Sequence, residues 1–129
     1  MNDKKIKQYQ KDWNISPEAV ERILERKESP ECRLLHVIQI GRDSAIYSAL
    51  LQRALSLDHG MIERAAHNLR NVGFPIFGCA DGYFMAMDIE EAAKALMSLR
   101  GRALATFTGS IHLYHFLKDA GAFDADEEE

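Results

Sequence analysis

The sequence predicts a mainly α-helical chain with one small β-hairpin, and three observations carry that expectation. Apolar residues recur at three-and-four spacing over long stretches, as Ile46, Tyr47, Leu50, Leu51 and Ala54 do. Capping residues punctuate those stretches, Ser16-Pro17 and Asp58 most clearly. One region departs from the pattern, where two β-prone runs flank Asp81-Gly82 in the manner of a hairpin. From Arg42 to Met87 the chain thus reads as a short helix, a tight Ser56-Leu57 turn, a second helix from Asp58 to Val72, and a hairpin turning at Asp81-Gly82. That order is the plan of a winged helix-turn-helix, here with additional N- and C-terminal helices.

Residues 3–12 are polar, with Ile6 and Tyr9 three apart, which suits a short or frayed helix. Ser16 offers a capping hydroxyl, Pro17 lacks an N–H where none is needed, and Glu18 sits at the positive helix end, so a helix runs from Pro17 to about Lys27 with Val20, Ile23 and Leu24 inward. The words Trp13-Asn14-Ile15-Ser16 also resemble the turn of a helix-turn-helix, an alternative place for a DNA reader. Ser29-Pro30 breaks the chain, Glu31 to Ile40 reads as a helix, and Gly41 ends it. With Asp43 or Ser44 as cap, the next helix is expected over Ala45 to Leu55.

Asp58 fixes the start of the following helix. At 100° per residue, Ile62, Ala65, Ala66, Leu69 and Val72 share the core side. Opposite fall Gly60, Arg64, His67 and Asn71, with Glu63 and Asn68 at the margins. Arginine can grip guanine and asparagine adenine, and a bare Gly60 would let the helix end approach a phosphate. The competing reading is a merely solvated face, and Glu63 supports it, because a carboxylate beside phosphates is repelled. Beyond Val72, Gly73 should end the helix in a left-handed cap, Pro75 bars further helix, and Phe74, Phe77, Tyr83 and Phe84 suit a half-buried pleated pair.

The segment Leu69-Arg70-Asn71-Val72-Gly73-Phe74-Pro75-Ile76, followed by Asp81-Gly82-Tyr83-Phe84-Met85, resembles the helix end and wing of the biotin-operon-repressor type of winged helix. The resemblance covers roughly residues 33–87. It implies major-groove contact through Arg64, His67 and Asn71; the sequence departs from the repressor in showing no ligase or effector domain after the wing, so sensing of a small molecule is not expected. Small stand-alone proteins of this kind resemble phage or mobile-element regulators and replication accessories. Winged helices also dock on proteins, so an adaptor or inhibitor role is the alternative.

After the hairpin, Asp88 caps a helix with Ile89, Ala92, Ala93 and Leu96 inward. Leu104, Phe107, Ile111 and Tyr114 then recur at intervals of three and four. That stripe either packs on the protein's own first helices or forms a two-fold homodimer seam, and Gly101 and Gly109 either interrupt the helix or permit close helix contact. The organisation expected is a basic arm and helix over residues 1–30, the winged helix-turn-helix over 31–87, a helical segment over 88–120 and an acidic tail over 121–129.

Charge qualifies the nucleic-acid reading. The net charge is −4, yet five of the 20 acidic residues follow Gly121, which leaves residues 1–120 with 16 basic against 15 acidic side chains. Lys4, Lys5, Lys7 and Lys11 make a basic head able to grip phosphate, and Arg53 adds to the candidate DNA contacts. Double-stranded DNA is the expected partner, bound with modest, salt-sensitive strength. No apolar run reaches the roughly 20 residues of a membrane span, and the start shows no secretion signal, so no membrane contact and a cytoplasmic location are expected. Cys32 and Cys79 read as buried reduced thiols, and His112 and His115, one turn apart without a third ligand, as exposed aromatic positions. No cofactor, no metal and no catalytic constellation is expected: no Gly-rich phosphate loop or nucleophile motif is present, and Glu90 and Glu91 point in different directions.

Overall fold

The computed structural model describes residues 1–123. Their helices are α1 (Asp3–Asp12), α2 (Pro17–Glu25), α3 (Pro30–Val37), α4 (Ser48–Leu55), α5 (His59–Val72) and α6 (Ile89–Asp119). A single 3-10 turn, Arg42–Ser44, precedes α4, and strands β1 (Ile76–Cys79) and β2 (Gly82–Met85) lie between α5 and α6. The chain divides into two units, residues 1–92 and residues 93–129. The acidic tail expected over 121–129 lies, from residue 124 onward, outside the described residues.

Caps account for most helix starts in the first unit. The side chains of Asn2, Ser16, Ser29 and Asp58 accept from the N–H groups of Lys5, Ala19, Cys32 and Met61, and each relieves one of the donors a helix end leaves open. Ser29-Pro30 is therefore a helix start as much as a break. At the other end of α5, Gly73 takes a φ of 123°, and its N–H and that of Phe74 return to the carbonyls of Arg70 and Leu69. This is the left-handed cap expected there.

The N-terminal segment is an ordered helix and not a frayed arm. Ile6 and Tyr9 enter the core, the Tyr9 hydroxyl donates to the Ala86 carbonyl, and the terminal ammonium donates to the His36 carbonyl at 2.5 Å. Burial first, and then the carboxylates of Glu91, Asp12 and Asp88, raise the Tyr9 phenol well above its ordinary value. It stays a neutral donor. The core joins Ile6, Val20, Leu34, Leu35, Ile38, Leu51, Ile62, Leu69, Phe74, Ile76 and Met85, so every helix of α1–α5 and both strands contribute to it.

The stretch between α3 and α4 departs from expectation. Helix α3 ends at Val37, short of Gly41, and Ile46 and Tyr47 are extended instead of helical. The cause is pairing with β2: Met85 donates to Gln39, Gly41 donates to Met85, and Ile46 and Tyr83 exchange two bonds of 2.9 Å. A backbone in two antiparallel bonds cannot also serve a helix. Helix α4 accordingly starts only at Ser48.

Strands β1 and β2 pair antiparallel with Ile76 opposite Met85 and Cys79 opposite Gly82. The two loop residues are thus Ala80 and Asp81, one position earlier than expected. Gly82 has φ 119°, and a Cβ there would lie 1.9 Å from the Ile46 carbonyl oxygen. Close backbone approach, and not the turn alone, demands this glycine. Phe74, Phe77, Tyr83 and Phe84 are buried outright, with Phe77 and Phe84 facing across the pair at 6.3 Å.

Helix α6 begins at an Asp88 cap, where the Asp88 carboxylate accepts from the Glu91 N–H and Glu91 in turn accepts from the N–H groups of Arg42 and Met87. It runs unbroken for 31 residues through Gly101 and Gly109, neither of which interrupts it. None of its side chains is buried. Ile89 and Leu96, expected inward, are 79% and 44% exposed.

Candidate nucleic-acid interface

Helix α5 buries Ile62, Ala65, Ala66 and Leu69 against α3, α4 and β1, and this fixes which of its side chains meet solvent. His59, Glu63, Arg64, His67 and Asn71 are exposed together. Among the described residues the Arg64 guanidinium has no ion-pair partner. Asn71 and His67 lie within hydrogen-bond reach of each other at 3.2 Å, a contact on one turn of the helix that either side chain can exchange for an outside partner. The His59 ring stands 2.8 Å from the Ser48 hydroxyl and 3.7 Å from the Glu63 carboxylate, so it ties the start of α5 to α4 and holds Glu63.

Of the other residues singled out on α4 and α5, Asn68 alone leaves the exposed set. Asn68 is half-buried and donates to the Glu31 carboxylate at 2.8 Å, on the wall of a cleft of about 390 Å³ that Arg22 and Arg26 also line. It braces α5 on α3 and does not belong to the exposed face. Gly60 is exposed, and a Cβ there would meet only the Asp58 carboxylate at 3.4 Å, so the chain's own packing does not require a glycine. Arg53 is exposed in the last turn of α4.

The four lysines lie on α1, all exposed, with Lys4, Lys7 and Lys11 on one face opposite Ile6 and Tyr9. Helix α1 packs on α2, whereas α5 packs on α3, α4 and β1, so the basic head and the α5 face are built on different neighbours.

The residue that sequence reasoning missed is Arg70. It is half-buried, donates to the Ile76 carbonyl at 2.7 Å, and stands 5.8 Å over the Phe77 ring. Burial lowers its pKa, and the nearby Tyr83 opposes that shift. Through these contacts Arg70 fastens the end of α5 to the first strand of the hairpin. An arginine two residues before the helix end and five before a proline was the available signal. The hairpin tip, Ala80-Asp81, carries an acid and no base.

Other candidate chemistry is sparse. Cys32 is buried and Cys79 half-buried, both as free thiols, and burial raises the Cys32 pKa. His112 and His115 are exposed on α6. Among the described residues no group of three or more His, Cys, Asp or Glu side chains could hold a metal, and no helix is long and apolar enough to cross a membrane. No protein-family model, curated protein or solved structure matches the chain.

Proposed function

We propose that the protein is a small DNA-binding regulator or replication accessory, in which residues 31–87 act as a winged helix-turn-helix of the biotin-operon-repressor type. On this reading α5 is the reading helix and β1–β2 the wing, with the Ile46 segment as the third strand of the wing sheet. The observation that carries it is the outward face of Arg64, His67 and Asn71 on a helix held between a helical scaffold and a paired ribbon. Arg64 supplies the bidentate donor that suits a guanine edge, and Asn71 the donor and acceptor that suit adenine. Lys4, Lys7 and Lys11 supply phosphate contacts, each adding salt dependence through counterion release. Catalysis plays no part in this role.

The test is fluorescence anisotropy against mixed-sequence duplexes at two salt concentrations. Arg64→Glu is expected to weaken binding at least about tenfold, the cost of losing one good base contact and adding repulsion. Replacing Lys4, Lys7 and Lys11 with glutamine should lower the salt slope by about one for each lost phosphate contact. Glu63 beside Arg64 and Asp81 at the wing tip favour a second reading, a winged helix that docks on a protein. Duplex binding that is absent at low salt, or unchanged by Arg64→Glu, selects that second reading.

A further inference from the structure

Helix α6 holds nine of the large apolar side chains that the structure leaves exposed: Ile89, Leu96, Met97, Leu104, Phe107, Ile111, Leu113, Tyr114 and Phe116. From Ala103 to Leu117 it carries no Asp, Glu, Lys or Arg. A solvated helix of this length normally shows charges on every turn, and a helix apolar around most of its circumference is one that another surface covers. Two of the polar residues in the stretch are also compatible with burial. Thr106 donates to the Arg102 carbonyl at 3.0 Å and Ser110 to the Phe107 carbonyl at 3.1 Å, so two hydroxyls are satisfied inside the helix and lose nothing if water leaves.

The apolar side chains are not evenly spread. Met97, Leu104 and Ile111 follow one another at intervals of seven, as do Arg100, Phe107 and Tyr114, and the two series alternate at spacings of three and four. That is the seam of a coiled coil, with Leu96 alongside it. Phe116 falls on the opposite side of the helix. On the seam, Leu96, Met97, Leu104, Phe107, Ile111 and Tyr114 are between 39% and 66% exposed. At roughly 200 Å² for a fully exposed large side chain, they offer on the order of 600 Å² per copy. Two copies would then bury about 1,200 Å², above the ~1,000 Å² that separates specific interfaces from casual contacts.

We infer that this seam is the homodimer interface, α6 of one copy packing along α6 of a second. A heptad seam is complementary to a seam of the same spacing, and a second copy presents one at equal concentration in every solution of the protein. The inference does not rest on DNA binding, because the association is read without nucleic acid.

Sedimentation equilibrium of the full chain at about 50 µM tests it, since dimer mass depends on protomer concentration. The expected mass is twice the 14.6 kDa of the chain. Phe107→Glu places a charge in the seam and should return the mass to that of one chain, whereas Phe116→Glu, on the opposite side, should leave the dimer intact. Ile111→Ala, which adds no charge and favours helix, should weaken association at least about tenfold while circular dichroism stays that of the parent. A single-chain mass for the parent protein overturns the inference. So does a multimer that survives Phe107→Glu, or one that Phe116→Glu disrupts equally. Arg64→Glu, which weakens DNA binding under the proposed function, should leave the mass unchanged, so failure of one reading is told apart from failure of the other.

Discussion

Helices α5 and α6 both carry apolar side chains at helical spacing, and their fates are opposite. In α5, 14 residues long, Ile62, Ala65, Ala66 and Leu69 are buried; in α6, 31 residues long, no side chain is. The periodicity of a stripe therefore says which residues share a face and nothing about what covers it. In α5 the cover is supplied by α3, α4 and β1, and the polar remainder is left as a defined outward face. In α6 the apolar side itself stays open to solvent.

Substitutions at two glycines probe this contrast most directly. Gly82→Ala should cost about 3 kcal/mol or more, because a methyl group would strike the Ile46 carbonyl and φ 119° disfavours any side chain. Urea unfolding measures it, and a stability equal to the parent would show that the Ile46 segment does not clamp the hairpin. Asp58→Ala removes the cap that receives the Met61 N–H at 2.8 Å and should cost about 1 kcal/mol in the same assay. Gly109→Ala should have the opposite sign. Nothing lies within 4 Å of its Cβ position and the residue is on the side of α6 away from the seam, so helix propensity alone acts, a gain of up to about 1 kcal/mol. A loss there would mean that α6 meets another surface on its glycine side.

The smallest effect concerns pH. Chiefly a hydrogen bond from the His36 ring, at 2.6 Å, holds the Asp3 carboxyl below its ordinary 3.8. A carboxyl whose folded-state pKa is depressed stabilises the fold above its unfolded value and loses that contribution as pH falls through the folded value. Stability should therefore drop as pH moves down past 3.8, and Asp3→Asn should flatten that limb slightly. Asp3 is fully exposed, which keeps the effect small. An acid limb unchanged by the substitution would remove the bond from the account of how α1 is held to α3.

Much of the first unit was legible before its coordinates. Ser16-Pro17, Asp58 and Gly73 fixed helix ends because capping depends on one residue and its immediate neighbours. The outward set Arg64, His67 and Asn71 followed from rotation about a helix whose inner face was unambiguous. The extended segment at Ile46 was not legible, since Ile46 and Tyr47 happen to continue the spacing of Leu50, Leu51 and Ala54. A strand of so few residues gives no period of its own, and only the distant Tyr83 decides its conformation. Asn68 was misplaced for a similar reason: it stands at the margin of the face, and its partner Glu31 is on another helix. Ile89 and Leu96 are exposed against expectation, because an apolar stripe does not by itself imply a cover.

The two bonds between Ile46 and Tyr83 have a consequence for how this surface can change. They join the chain just before α4 to the chain just after the hairpin turn, so α4, α5 and β1 form a closed circuit secured by main-chain atoms. Its geometry is set by groups that every amino acid except proline shares. Side chains at 64, 67 and 71 can therefore be exchanged while the platform beneath them keeps its shape, so the chemistry of that face can change without a new architecture.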